Sequence, residues 1–123
     1  MAKLRHIAYR AEDPEAMAKF FIDAFEMTVA QRRERGAIDL TDGTINITVL
    51  PLGMQGAPNA RGIEHVGFSA SDNDEAVRKV IGAGGRERSM LPLGGSFYEK
   101  KFEGPEGIVV DVGHWAGAAP VGD

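Results

Sequence analysis

The eight residues from His6 to Asp13, HIAYRAED, return 59 positions later as HVGFSASD, from His65 to Asp72, with no gap between the copies. Within 123 residues such a repeat restricts the fold to two copies of one supersecondary unit, each needing a partner for its apolar face. Both copies alternate in polarity. Ile7 and Tyr9 fall on one face against His6, Ala8 and Arg10, and Val66 and Phe68 oppose His65, Gly67 and Ser69. A period of two is the mark of a half-buried strand.

A helix start follows each strand. Asp13 is a good N-cap, with Pro14 at the first helical position and Glu15 in the first turn. Met17, Phe20, Phe21 and Ala24 then give an amphipathic stripe at i, i+3, i+4 and i+7. In the second copy Asp72 or Asn73 is the cap, Ala76, Val80, Ile81 and Ala83 follow, and the glycines of GAGG, from Gly82 to Gly85, end the helix. Three short strands are predicted after each helix: MTVAQRR, GAIDLT and INITVLPL in the first half, RERSM, SFYEKKF and IVVDVGHW in the second. The turns TDGT and GPEG separate the last two strands of each half. The expected fold is therefore α+β, a single domain of two tandem βαβββ modules. Module one covers about 1–52, a linker 53–61, and module two about 62–123.

Composition narrows the function. Without cysteine there is no disulfide framework and no thiolate nucleophile. A net charge of −4 argues against non-specific nucleic-acid binding, and the basic cluster QRRERG reads as a solvated strand end interrupted by Glu34. No apolar run approaches the roughly 20 residues that span a bilayer, and MAKLRH lacks the apolar core of a signal peptide, so the expected location is the cytoplasm.

A sheet covered by a helix on one side turns its apolar alternates toward that helix. Ile45, Ile47 and Val49 are expected to pack inward, leaving Asn46, Thr48 and Leu50 on the open face; Ile108, Val110 and Val112 pack inward, leaving Val109, Asp111 and Gly113. His6, His65, Asn46 and Asp111 thus all fall away from the helices. Two imidazoles and a carboxylate there suit a divalent ion held by N and O ligands, with positions left open. Structural, hydrogen-bonded histidines inherited by duplication are the other reading. A carboxylate inside an apolar strand is the harder feature to explain that way, because burial is costly for it unless it is paired or metal-bound.

From LRHIAYRAEDPEAMAKFFIDAFEM to FEGPEGIVVDVG, essentially the whole chain resembles the vicinal oxygen chelate superfamily of glyoxalases, bleomycin-resistance proteins and ring-cleaving dioxygenases. The resemblance implies paired βαβββ modules whose mixed sheets form an open cup around a divalent ion (Zn, Ni, Co, Mn or Fe(II)). Its ligands would be a histidine on each module's first strand and a further ligand on each last strand. GPEG followed by Asp111 matches the C-terminal signature, so the implied ligands are His6, His65 and Asp111. Asn46, a neutral amide, falls where glyoxalase I has a glutamate, with Thr48 as the other candidate on that face. Arg10 matches a glutathione-contacting arginine; its alternative is a rim ion pair. The chemistry implied is that of a glyoxalase-like lyase or related metalloenzyme acting on a small-molecule substrate with vicinal oxygens. Asp111 would be the catalytic base, and Tyr98 or Glu99 helpers from the preceding strand. Fe(II) extradiol-type cleavage is one alternative, for which His114 has the wrong parity. The other is a metal-free, antibiotic-type sequestration protein with Tyr98, Phe102 and Trp115 lining the pocket. The resemblance also implies a homodimer, with no nucleic-acid or membrane partner.

Overall fold

A computed structural model describes residues 2–54, 59–91 and 98–114, with the backbone alone at 89–91, 98–99 and 114. The fold is α+β, and both modules are βαβββ. Module one contains β1 (Lys3–Ala11), α1 (Pro14–Phe25), β2 (Thr28–Arg32), β3 (Ile38–Thr41) and β4 (Asn46–Pro51). Module two contains β5 (Gly62–Ser69), α2 (Asn73–Gly82), β6 (Arg86–Leu91), β7 (Tyr98–Glu103) and β8 (Val109–His114), with a single 3₁₀ turn at Pro105–Gly107. Contacts divide the chain into two compact units, one holding His6–Glu64 and the other beginning at His65 and including the first residues of β1.

Within module one the strand order is β2-β3-β4-β1, and within module two β6-β7-β8-β5. In both, the first strand runs parallel to the last and the other neighbours are antiparallel. The duplication reaches irregularities that local patterning does not show. β2 shifts register against β3 between Val29 and Gln31, and β6 shifts against β7 between Glu87 and Ser89. A bulge at the same place in both outer strands increases their twist and makes them poorer templates for edge-to-edge pairing.

The helix caps follow the sequence. Asp13 accepts from the backbone N–H of Ala16 at 3.0 Å, and Asp72 from that of Glu75 at 3.0 Å, which selects Asp72 over Asn73 as the second cap. α1 ends without glycine: Glu26 takes the left-handed conformation at φ 59°, and its N–H donates to the Ile22 carbonyl at 3.0 Å.

The inward face of α1 is turned from the expected one. Ala18 is fully buried, and Met17, Phe21 and Ile22 pack with it against Ile38, Leu40 and Val49. Phe20 is 56% exposed and lies edge-on to Phe21 and Phe25. The small Ala18 is what permits close approach of the helix to the sheet, so the helix rotates to present it and Phe20 moves to the flank. In module two Phe102 and Val112 are buried, but α2 contributes no buried residue. A cavity of about 250 Å³ is lined by Phe68, Val110 and Val112 of the sheet and by Val80 of α2, among others. Ile108, expected inward, precedes β8 and is about half exposed, because the Gly104 N–H bonds its carbonyl at 2.8 Å and closes the turn there.

Candidate functional site

The open face of each module carries polar side chains that packing has taken out of water. In module two, β5 supplies His65, β8 supplies Asp111 and the antiparallel β7 supplies Lys101, and all three are buried. Gly67 is the register partner of Asp111 on one side, and Lys101 on the other. His65 Nε2 stands 3.1 Å from Asp111 Oδ2, and Lys101 Nζ stands 3.1 Å from His65 Nδ1. A carboxylate, an imidazole and an ammonium therefore form a chain in contact order, with opposite charges at its ends.

In module one His6 is buried on β1 directly beside Asn46 of the parallel β4. Two residues on, Ala8 pairs with Thr48, and Thr48 pairs with Asp39 of β3. Asp39 is fully buried. Its Oδ2 accepts from Arg33 Nε at 3.0 Å and lies 2.9 Å from Arg33 Nη2, and its Oδ1 accepts from the Thr48 hydroxyl at 2.7 Å. Ala8, Ala37 and Leu50 form a small apolar cluster on this same face, with Met54 against it.

The register refines the placement of Asn46. Ala8 and Gly67 are equivalent under the 59-residue repeat. Because Gly67 lies across from Asp111 and Ala8 across from Thr48, the counterpart of Asp111 in module one is Thr48. Asn46 lies two residues earlier, level with His6.

Arg10 is directed toward the linker and the start of β5, within the unit His6–Glu64. Its Nε donates to the Ala60 carbonyl at 2.6 Å and its Nη1 meets Glu64 Oε2 at 2.6 Å, tying the segment that enters β5 to β1. Tyr98 lies on β7 with backbone partner His114, and the side chains of Tyr98, Glu99 and His114 lie outside the described residues, as does Trp115. Phe102 packs on the helix side of β7, opposite in parity to Lys101, so it belongs to the core and not to a pocket on the open face.

Asp39, Arg33 and Lys101 were missed by motif reasoning. Asp39 carried a readable signal: in GAIDLT it alternates with Ile38 and Leu40, on the parity of Ala37 and Thr41. Lys101 carried the same parity signal beside Phe102. Nothing local marks the partner of either.

Comparison with known proteins agrees with this architecture. The profile of the Glyoxalase/Bleomycin resistance protein/Dioxygenase superfamily matches residues 3–112, and the chain belongs to that superfamily. Among solved structures it is similar to a hypothetical protein of Bacillus halodurans C-125, with a TM-score of 0.73, 14% identity, and coverage of 94% of this chain and 95% of that one. It is also similar to methylmalonyl-CoA epimerase from Mycobacterium tuberculosis, with a TM-score of 0.67, 15% identity, and coverage of 92% and 87%. A superfamily member from Vibrio splendidus 12B01 has a TM-score of 0.67 at 12% identity, covering 94% and 100%. At these identities the likeness is one of fold. Curated proteins give no significant match.

Proposed function

We propose that the chain is a small metal-dependent enzyme of lyase or isomerase type, with His6, His65 and Asp111 holding one divalent ion. The observation that carries this reading is the buried pair of donors in module two, His65 Nε2 and Asp111 Oδ2, 3.1 Å apart. Metal bonds of about 2.0–2.2 Å that meet at angles between a right angle and the tetrahedral value place two donors roughly 3.0–3.5 Å apart, so the pair fits adjacent positions around one ion. His6 supports it as the buried repeat equivalent of His65, and the donor set of two imidazoles and a carboxylate suits Zn, Ni, Co, Mn or Fe(II). A bound ion would supply Lewis acidity toward two neighbouring oxygens of a small substrate.

The protein's own residues have separable roles. Asp111 is the carboxylate placed to move a substrate proton. Thr48 gives its hydroxyl hydrogen to Asp39, which leaves its oxygen as an acceptor for a substrate hydroxyl on the open face of module one. Arg10 and Tyr98 are the further substrate-side candidates from the chain's resemblance to its superfamily. The functional unit we propose is a cytoplasmic homodimer, which sedimentation would report as twice the 13.2 kDa chain mass.

The contact chain from Lys101 through His65 to Asp111 favours a second reading, since it balances charge without an ion: a metal-free protein that sequesters a small molecule. Metal analysis of untagged protein purified without chelator separates the two. The enzyme reading expects about one divalent ion per chain, or its uptake on addition, and loss of that uptake in a folded His65→Ala variant. No uptake of any of the five ions refutes it.

A further inference from the structure

Lys101 has no role in the ligand set, yet its ammonium is buried against the histidine of that set. A lysine ammonium offers three donors and no acceptor, whereas a neutral imidazole has one donor and one acceptor nitrogen. At 3.1 Å from Lys101 Nζ, His65 Nδ1 is therefore the acceptor, which leaves the ring hydrogen on Nε2. That nitrogen lies 3.1 Å from Asp111 Oδ2, within the reach of electrostatic attraction. All three side chains come from neighbouring strands of one sheet, β5, β8 and β7 in that order.

We infer that Lys101 is a positioning residue that locks His65 in the Nε2–H tautomer and thereby opposes metal binding at the His65–Asp111 pair. This inference rests on the metalloenzyme reading for its consequence, but its structural content stands apart from it. An ion bound through Nε2 needs the lone pair there, and so places the ring hydrogen on Nδ1. The Nδ1 hydrogen would then face an ammonium that cannot accept it. Lysine also puts a positive charge beside a cation site. The usual support for a ligating histidine is the opposite arrangement, an acceptor that takes the hydrogen of the second ring nitrogen. Lys101 thus supplies the wrong partner for tight metal retention, and the site is built for an ion held weakly enough to exchange.

The test has two readouts at one fixed pH. Long-range proton–nitrogen NMR of metal-free wild-type protein should show His65 as the Nε2–H tautomer. An Nδ1–H ring or an imidazolium overturns the inference. Cobalt(II) titration is then run on wild type, Lys101→Met and Lys101→Gln. Met removes the donor, and the Gln carbonyl can accept from Nδ1–H. Both variants are expected to bind cobalt at least about tenfold more tightly than wild type, the scale on which partners of ligating histidines act. Having two variants keeps the test decisive if one fails to fold. Unchanged or weaker cobalt binding in the folded variants overturns the inference. If no folded variant takes up cobalt, the opposition to metal is overturned together with the metalloenzyme reading. The wild-type tautomer alone then decides whether Lys101 positions His65.

Discussion

Replacing Arg33 with Met should destabilise the protein more than replacing Arg33 and Asp39 together. In the wild type Asp39 is fully buried, and its carboxylate is held by the Arg33 guanidinium and the Thr48 hydroxyl. Met keeps most of the side-chain volume but strands a carboxylate with one neutral donor. Breaking a fully buried ion pair from one side costs about 3–5 kcal/mol. Arg33 has a side chain 30% exposed, so water reaches the vacated position and the expected loss is nearer about 2–3 kcal/mol. A chain of this size has about 6–18 kcal/mol of stability in all, so the loss is a substantial share of it. With a urea slope of about 2 kcal/mol per molar, the unfolding midpoint falls by about 1–1.5 M. Adding Asp39→Asn to Arg33→Met removes the stranded charge while its amide oxygen still accepts from Thr48. The double variant should therefore recover at least about 1 kcal/mol relative to Arg33→Met, a non-additivity read from the double-mutant cycle. If Arg33→Met shifts the midpoint by less than the scatter of repeat titrations, or the second substitution destabilises further, the Asp39 charge is not what Arg33 stabilises.

Two other outcomes follow from the turns. The Asp42 carboxylate accepts the backbone N–H of Ile45 and of Thr44, which holds its pKa below the usual aspartate range. A depressed folded pKa means the stabilisation is complete above about pH 4 and is lost as pH falls through the folded value, so Asp42→Ala should flatten the acid limb of a stability–pH curve; parallel curves would contradict this. At Gly85 a Cβ would lie 2.5 Å from Val80 Cγ1 and 2.9 Å from the Val80 carbonyl, so Gly85→Ala should cost about 1–3 kcal/mol in urea unfolding, while Gly82→Ala, with open space around it, should not; equal effects would refute the packing argument.

The sequence alone determined the elements and their repetition, because the signals involved are local. Alternation in HIAYRAED and HVGFSASD specifies strands, Asp13 and the Asp72–Asn73 pair mark caps, and TDGT and GPEG specify turns, all within a few residues of where they act. Parity also assigned His6, His65 and Asp111 to the open faces. Tertiary structure decided what those faces do. It rotated α1 to bring Ala18 rather than Phe20 inward, because only the contact with β3 and β4 ranks one helix face over another. It made Thr48 the counterpart of Asp111, because strand register depends on how β1 and β4 slide together and not on either segment. Above all, it placed Lys101 against His65 and Arg33 against Asp39. The first pair is 36 residues apart in sequence, and an ammonium in a solvated strand looks the same in sequence as one buried against an imidazole. Local patterns encode which way a side chain points, but its partner is fixed only when distant strands pair and exclude water from the space between them.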